Sequence, residues 1–96
     1  MKATKEQIAA WKQEHKDVYR IDVEDKSCYL KRPSRQAIGY ATVAGKDNPV
    51  KFNEVLLQEC WLGGDEEIKQ DDVLFMSVSA KLGELVEVKT AELVKL

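Results

Sequence analysis

Residues 18–35 read VYRIDVEDKSCYLKRPSR, and the fold turns on how that stretch divides. Tyr19, Ile21 and Val23 alternate with Val18, Arg20 and Asp22, the periodicity of a strand with one buried face. Cys28 and Leu30 form a second alternating run over residues 27–31. With Asp25-Lys26 as the turn, Val23 falls opposite Cys28 and Ile21 opposite Leu30, so one apolar face crosses an antiparallel hairpin. Asp-Lys lacks the glycine of the favoured two-residue turns, which leaves a longer loop open. A lone hairpin is not stable in water, so helices must cover its apolar face. Pro33 then keeps Arg32 extended and ends the ladder. Ser34 is a good N-cap for a helix over residues 35–44, with Ile38, Ala41 and Thr42 inward. Gly39 weakens that helix and leaves room for close packing. Arg32-Pro33-Ser34-Arg35 thus reads as a strand-to-helix joint. Arginines with no partner base or metal define no reaction.

Upstream, Thr4-Lys5-Glu6-Gln7 fits a capping box, and Ile8, Trp11 and His15 share a face of the helix that follows. That helix is weakly amphipathic and needs a partner surface. Downstream, Asn48 caps and Pro49 opens a helix whose core stripe is Phe52, Val55, Leu56 and Cys60. Gly63-Gly64 reads as its stop. Residues 65–72 form an acidic connector anchored by Ile68, and Asp71 or Asp72 caps a last helix. Phe75, Val78, Leu82, Leu85 and Lys89 follow its inner face, widened by Val86 and Leu93. Residues 85–88 also fit a short strand, with helix preferred.

The expected architecture is one α+β domain over residues 1–96: a two-stranded antiparallel hairpin packed on three to four helices. Residues 1–16 are a peripheral N-terminal helix, residues 18–31 the hairpin and residues 34–96 the helical part. Ninety-six residues with 44% hydrophobic and 33% charged side chains are globular in composition. The net charge of −2 argues against broad nucleic-acid binding. It is unevenly spread: residues 1–35 hold nine Lys/Arg against six Asp/Glu, and residues 36–96 hold six against eleven. Such polarity suits orientation of one copy against another or against a partner. No apolar run reaches membrane-span length and no signal-peptide core is visible, so a cytoplasmic protein is expected. The two cysteines, Cys28 and Cys60, sit in apolar patterns and make neither a disulfide framework nor a CxxC motif.

Catalytic chemistry finds no constellation. His15 is the single histidine, read as an exposed helix-end residue with no companion ligands. The acids of residues 65–72 lack calcium-loop spacing, and no phosphate cradle is present. A non-enzyme without cofactor or metal is expected. The remaining signal is apolar. Trp61 and Leu62 precede the glycine pair, while Phe75 and Met76 open the last helix. Those four residues are either core or the lining of a groove for an apolar segment of another protein.

Residues 28–35, the helix over residues 52–60 ending in Trp61-Leu62-Gly63-Gly64, and the Asp71-Asp72 helix start together resemble the small tail assembly chaperones of long-tailed phages and prophages. The resemblance covers residues 18 to about 89 and leaves the N-terminal helix unmatched. It implies a non-catalytic protein that coats the aggregation-prone tape-measure protein in the host cytoplasm while tail-tube subunits polymerise around it. A longer frameshifted product is common in such families. The expected partners are the tape-measure and tail-tube proteins, with homo-oligomers possible and neither nucleic acid nor membrane involved. The alternative is a small adaptor or inhibitor-type domain of a mobile element that binds another partner.

Overall fold

The structure is a computed structural model that describes residues 2–86 and 91–96. It is α+β. In chain order the elements are α1 (Lys5–His15), β1 (Val18–Val23), β2 (Lys26–Lys31), α2 (Arg35–Ala44), α3 (Pro49–Cys60), β3 (Trp61–Gly64), α4 (Glu67–Gln70) and α5 (Asp72–Leu82), followed by a 3-10 turn at Gly83–Leu85.

The strands form one antiparallel sheet in the order β1-β2-β3. The expected two-stranded hairpin is therefore incomplete, and residues 34–96 are not wholly helical. α3 stops at Cys60, and Trp61 is already extended (φ −66°, ψ 125°). Trp61-Leu62-Gly63-Gly64 is a strand, not the glycine-capped end of a helix. It was hidden because a four-residue strand has no room to show a period, and two of its residues lack side chains.

The hairpin register also differs from expectation. Ile21 pairs with Cys28 and Tyr19 with Leu30, while Val23 and Lys26 close a two-residue turn at Glu24-Asp25. Glu24 takes up the turn's positive φ of 54°. The shift is two residues, so every side chain keeps its face, and the apolar face survives the wrong turn.

β2 is the central strand and is buried on both faces, with Ser27, Cys28, Tyr29 and Leu30 all under 4% exposed. Cys28 and Leu30 join the main core, made by Leu56, Leu57 and Cys60 of α3, Ile68 of α4, and Phe75, Val78, Leu82 and Leu85 at the α5 end. Each large aliphatic side chain taken fully from water contributes about 1.5–3 kcal/mol. The opposite face is covered by α1. Trp11 packs on Tyr29 with ring centroids 5.4 Å apart, and the Tyr29 hydroxyl accepts a hydrogen bond from the Ala3 N–H at 3.1 Å. None of the residues of α1 is itself buried, so the helix lies on the sheet as an outer layer.

The capping chemistry follows the sequence. Thr4 and Gln7 complete the capping box, Ser34 Oγ accepts from the Ala37 N–H, Asn48 Oδ1 accepts from Val50 and Lys51, and Asp71 Oδ1 accepts from Leu74. The inner face of α2 needs correction. Ala37 and Ala41 are buried and Ile38 is half-buried, but Thr42 is exposed and donates its hydroxyl to the Ile38 carbonyl. A Cβ placed on Gly39 would meet nothing within 4 Å, so no close packing depends on it. The acidic connector contains the one-turn helix α4, which exists to seat Ile68 at 0% exposure. The last helix ends at Leu82, short of Leu85 and Val86. Leu93 is fully exposed rather than part of an inner stripe. Lys89 and the end of the alternative strand over residues 85–88 lie outside the described residues.

Candidate functional site

The four residues singled out from the sequence occupy three environments. Phe75 belongs to the core, at 9% exposure. Met76, its neighbour on α5, points away and is 53% exposed, as is Val73 one turn earlier at 74%. Trp61 and Leu62 are half-buried on β3. Leu62 is the extra residue of a β-bulge, because Tyr29 pairs with Gly63 and Leu30 with Trp61.

A depression of about 300 Å³ lies between α3, α4 and α5, lined by Glu54, Leu57, Gln58, Lys69 and Phe75. Leu57 and Phe75 give it an apolar lining, and Glu54, Gln58 and Lys69 supply polar groups. The Lys69 ammonium also sits 4.2 Å from the centre of the Trp61 ring, a cation–π contact. Lys69 therefore links Trp61 to the depression that Phe75 lines. Its charge is shared with Glu66, 3.3 Å away. Sequence reasoning missed Leu57 and Lys69. Leu57 lies one residue off the stripe counted from Phe52, and Lys69 sits in a segment read only as an acidic connector.

The glycine pair has a positional role. Gly64 has φ +133°, and a Cβ there would lie 2.4 Å from the Ser27 carbonyl oxygen and 2.6 Å from Cys28 Cα. Glycine alone permits both that conformation and that approach. The next residue locks the strand: the Asp65 N–H donates to the Ser27 carbonyl at 2.9 Å, and Asp65 Oδ2 accepts from the Ser27 N–H at 2.9 Å. A Cβ on Gly63 would meet the Trp11 ring at 3.1 Å, so α1 rests on this strand as well as on Tyr29.

The titratable groups show structural roles. Burial pushes the thiols of Cys28 and Cys60 up to about 11, which keeps them protonated at neutral pH. The hydrogen bond donated by the Ser27 hydroxyl (2.7 Å) holds the Asp22 carboxyl below its usual range, opposed by partial desolvation and aided by Arg20. His15 is half-buried rather than exposed, with Nε2 3.8 Å from Glu14. Arg32 forms an ion pair with Asp17 at 2.6 Å, tying the end of β2 to the joint between α1 and β1. Among the described residues no group of three or more His, Cys, Asp or Glu could hold a metal ion, and no helix is long and apolar enough to cross a membrane.

No family model, curated protein or solved structure matches the chain.

Proposed function

We propose that the protein is a non-catalytic tail assembly chaperone of the phage and prophage type, acting in the cytoplasm, which binds the tape-measure protein and assists tail-tube assembly. The observation that carries this reading is the exposed apolar pair Val73 and Met76 on α5. The neighbouring α3–α4–α5 depression is lined by Glu54, Gln58 and Lys69 around the nearly buried Leu57 and Phe75, and Lys69 sits over the Trp61 ring. A methionine and a valine one turn apart suit contact with an apolar helical segment. The resemblance of residues 18 to about 89 to the tail chaperones supplies the identity of that segment.

The test is to sequence the surrounding genes for a tape-measure and a tail-tube protein and to co-express the chain with them. The expected result is soluble tape-measure protein that co-purifies with the chain, and loss of that solubility in the double variant Val73→Glu/Met76→Glu. Both positions are exposed, so the double variant keeps its circular dichroism and melting temperature. Phe75→Ala separates packing from binding: it removes a core ring and costs about 3–5 kcal/mol whatever the partner. Capture of an unrelated protein encoded alongside the gene, with no effect on a tape-measure protein, would favour the adaptor or inhibitor-type reading.

A further inference from the structure

β1 is an edge strand, and among the described residues no strand pairs with its outer edge. Ser27, opposite Asp22, gives both its N–H and its carbonyl to Asp65 on the β3 side. Asp22 and Ser27 are thus a non-hydrogen-bonded pair, consistent with the direct contact between their side chains. By the alternation of an antiparallel ladder, Val18, Arg20 and Asp22 turn their backbone N–H and C=O groups away from β2. A groove of about 490 Å³ follows that edge, formed by residues 19–22 together with Lys81, Glu84 and Leu85. Four consecutive strand residues can line one groove only along the strand's edge, where backbone is exposed between the two faces.

We propose that this edge takes a second copy of the chain, added antiparallel with Ile21 opposite Ile21 of the second copy. The charge pattern selects that occupant. Arg20 and Asp22 stand at equal distances on either side of Ile21. An antiparallel copy in this register places Arg20 opposite Asp22 of the second copy, and Asp22 opposite its Arg20. Both side chains are about half exposed, and they now pair within one strand, Arg20 Nε to Asp22 at 3.1 Å. The two residues that pair are also those whose backbone groups face outward, so the charge pairs fall on hydrogen-bonded positions. On the core-side face, Tyr19 meets Val23 of the second copy around the central isoleucine pair, continuing the apolar face. Sheet edges are normally protected from their own copies by charge of one sign. This edge carries a self-complementary pair, which attracts a copy related by a twofold axis. The result is one six-stranded sheet across two chains. The inference is independent of the tape-measure reading, since it concerns the opposite end of the sheet from β3.

Sedimentation equilibrium of the full chain tests it. The wild type is expected to associate to twice the chain mass. R20E leaves two acids on each edge and D22K two bases, so each variant alone weakens self-association roughly tenfold or more. Mixed in equal amounts, R20E and D22K regain complementary edges and recover the heterodimer. Arg20→Pro is a second variant: its lost N–H faces solvent in the monomer, so the sheet is retained while strand addition is blocked. A wild type that stays monomeric at millimolar concentration overturns the proposal. So does a dimer unaffected by R20E, D22K and Arg20→Pro, or one abolished by Leu93→Asp in the exposed residues 91–96 but not by R20E.

Discussion

Ser79 is the residue where polarity and position conflict. It faces the core from α5, and its buried hydroxyl has no hydrogen-bond partner among the described residues. An unsatisfied buried hydroxyl costs about 1–3 kcal/mol, and alanine is the better helix former. Ser79→Ala is expected to raise the melting temperature by several degrees in calorimetry, on the order of 4–8 °C per kcal/mol for a domain of this size. Asp22 makes the opposite case, a polar group whose partner matters. Its folded carboxyl is held below the usual aspartate range, first by the Ser27 hydroxyl. Its stabilising contribution is therefore present above about pH 4 and lost as pH falls through the lower, folded value. Urea melts between pH 5 and pH 2 should show a falling midpoint, with a shallower fall in Ser27→Ala. A wild-type midpoint that rises on acidification would contradict the assignment. At this scale the sequence was informative wherever a side chain bonds to its own neighbourhood. Thr4, Ser34 and Asn48 cap as read, and of the two candidates for α5 it is Asp71 that caps. It was silent on Ser79, whose hydroxyl looks like any other polar helix residue until the core is assembled.

Elements with enough length to show a period were legible, and the short ones were not. β1 and β2 each have six residues, α3 twelve and α5 eleven, and all four were found. β3 has four residues and α4 four. Their existence depends on contacts across the chain: Gly64 against Ser27 and Cys28, and Ile68 in the core. The hairpin register failed for a related reason. Residues 24–26, Glu-Asp-Lys, carry no glycine to mark the turn, and an apolar face fixes parity but not the pair. Gly64→Ala tests whether β3 is held by that close approach. Both the positive φ and the backbone at 2.4 Å oppose a methyl group. The expected loss is about 1–3 kcal/mol from backbone strain alone, with the steric shift added. Chemical denaturation should show it. A variant as stable as wild type would mean that β3 is dispensable.

For the whole molecule, fold class was legible because apolar periods switch from two to about three and a half at Pro33. The candidate site was half legible. Trp61, Phe75 and Met76 were visible as large apolar residues, but their division between core and surface is decided by the rotation of α5. That rotation is set by Val78, Leu82 and Leu85, which share Phe75's face and turn Met76 outward.

The order of strands across the sheet has a kinetic consequence. β1 meets β2 through a two-residue turn, whereas β3 reaches β2 only after the chain has passed through α2 and α3. The Ser27–Asp65 clamp joins residues 38 positions apart. Loop closure over that span is costly unless the intervening helices have already docked and shortened it. The hairpin and the α2–α3 pair therefore form early, and β3 joins the sheet after them. During synthesis β2 emerges from the ribosome well before the strand that covers its second edge, so a nascent chain carries Tyr29 and Leu30 on an unpaired edge for seconds. Substitutions in β3 should then accelerate unfolding while leaving the refolding rate nearly unchanged.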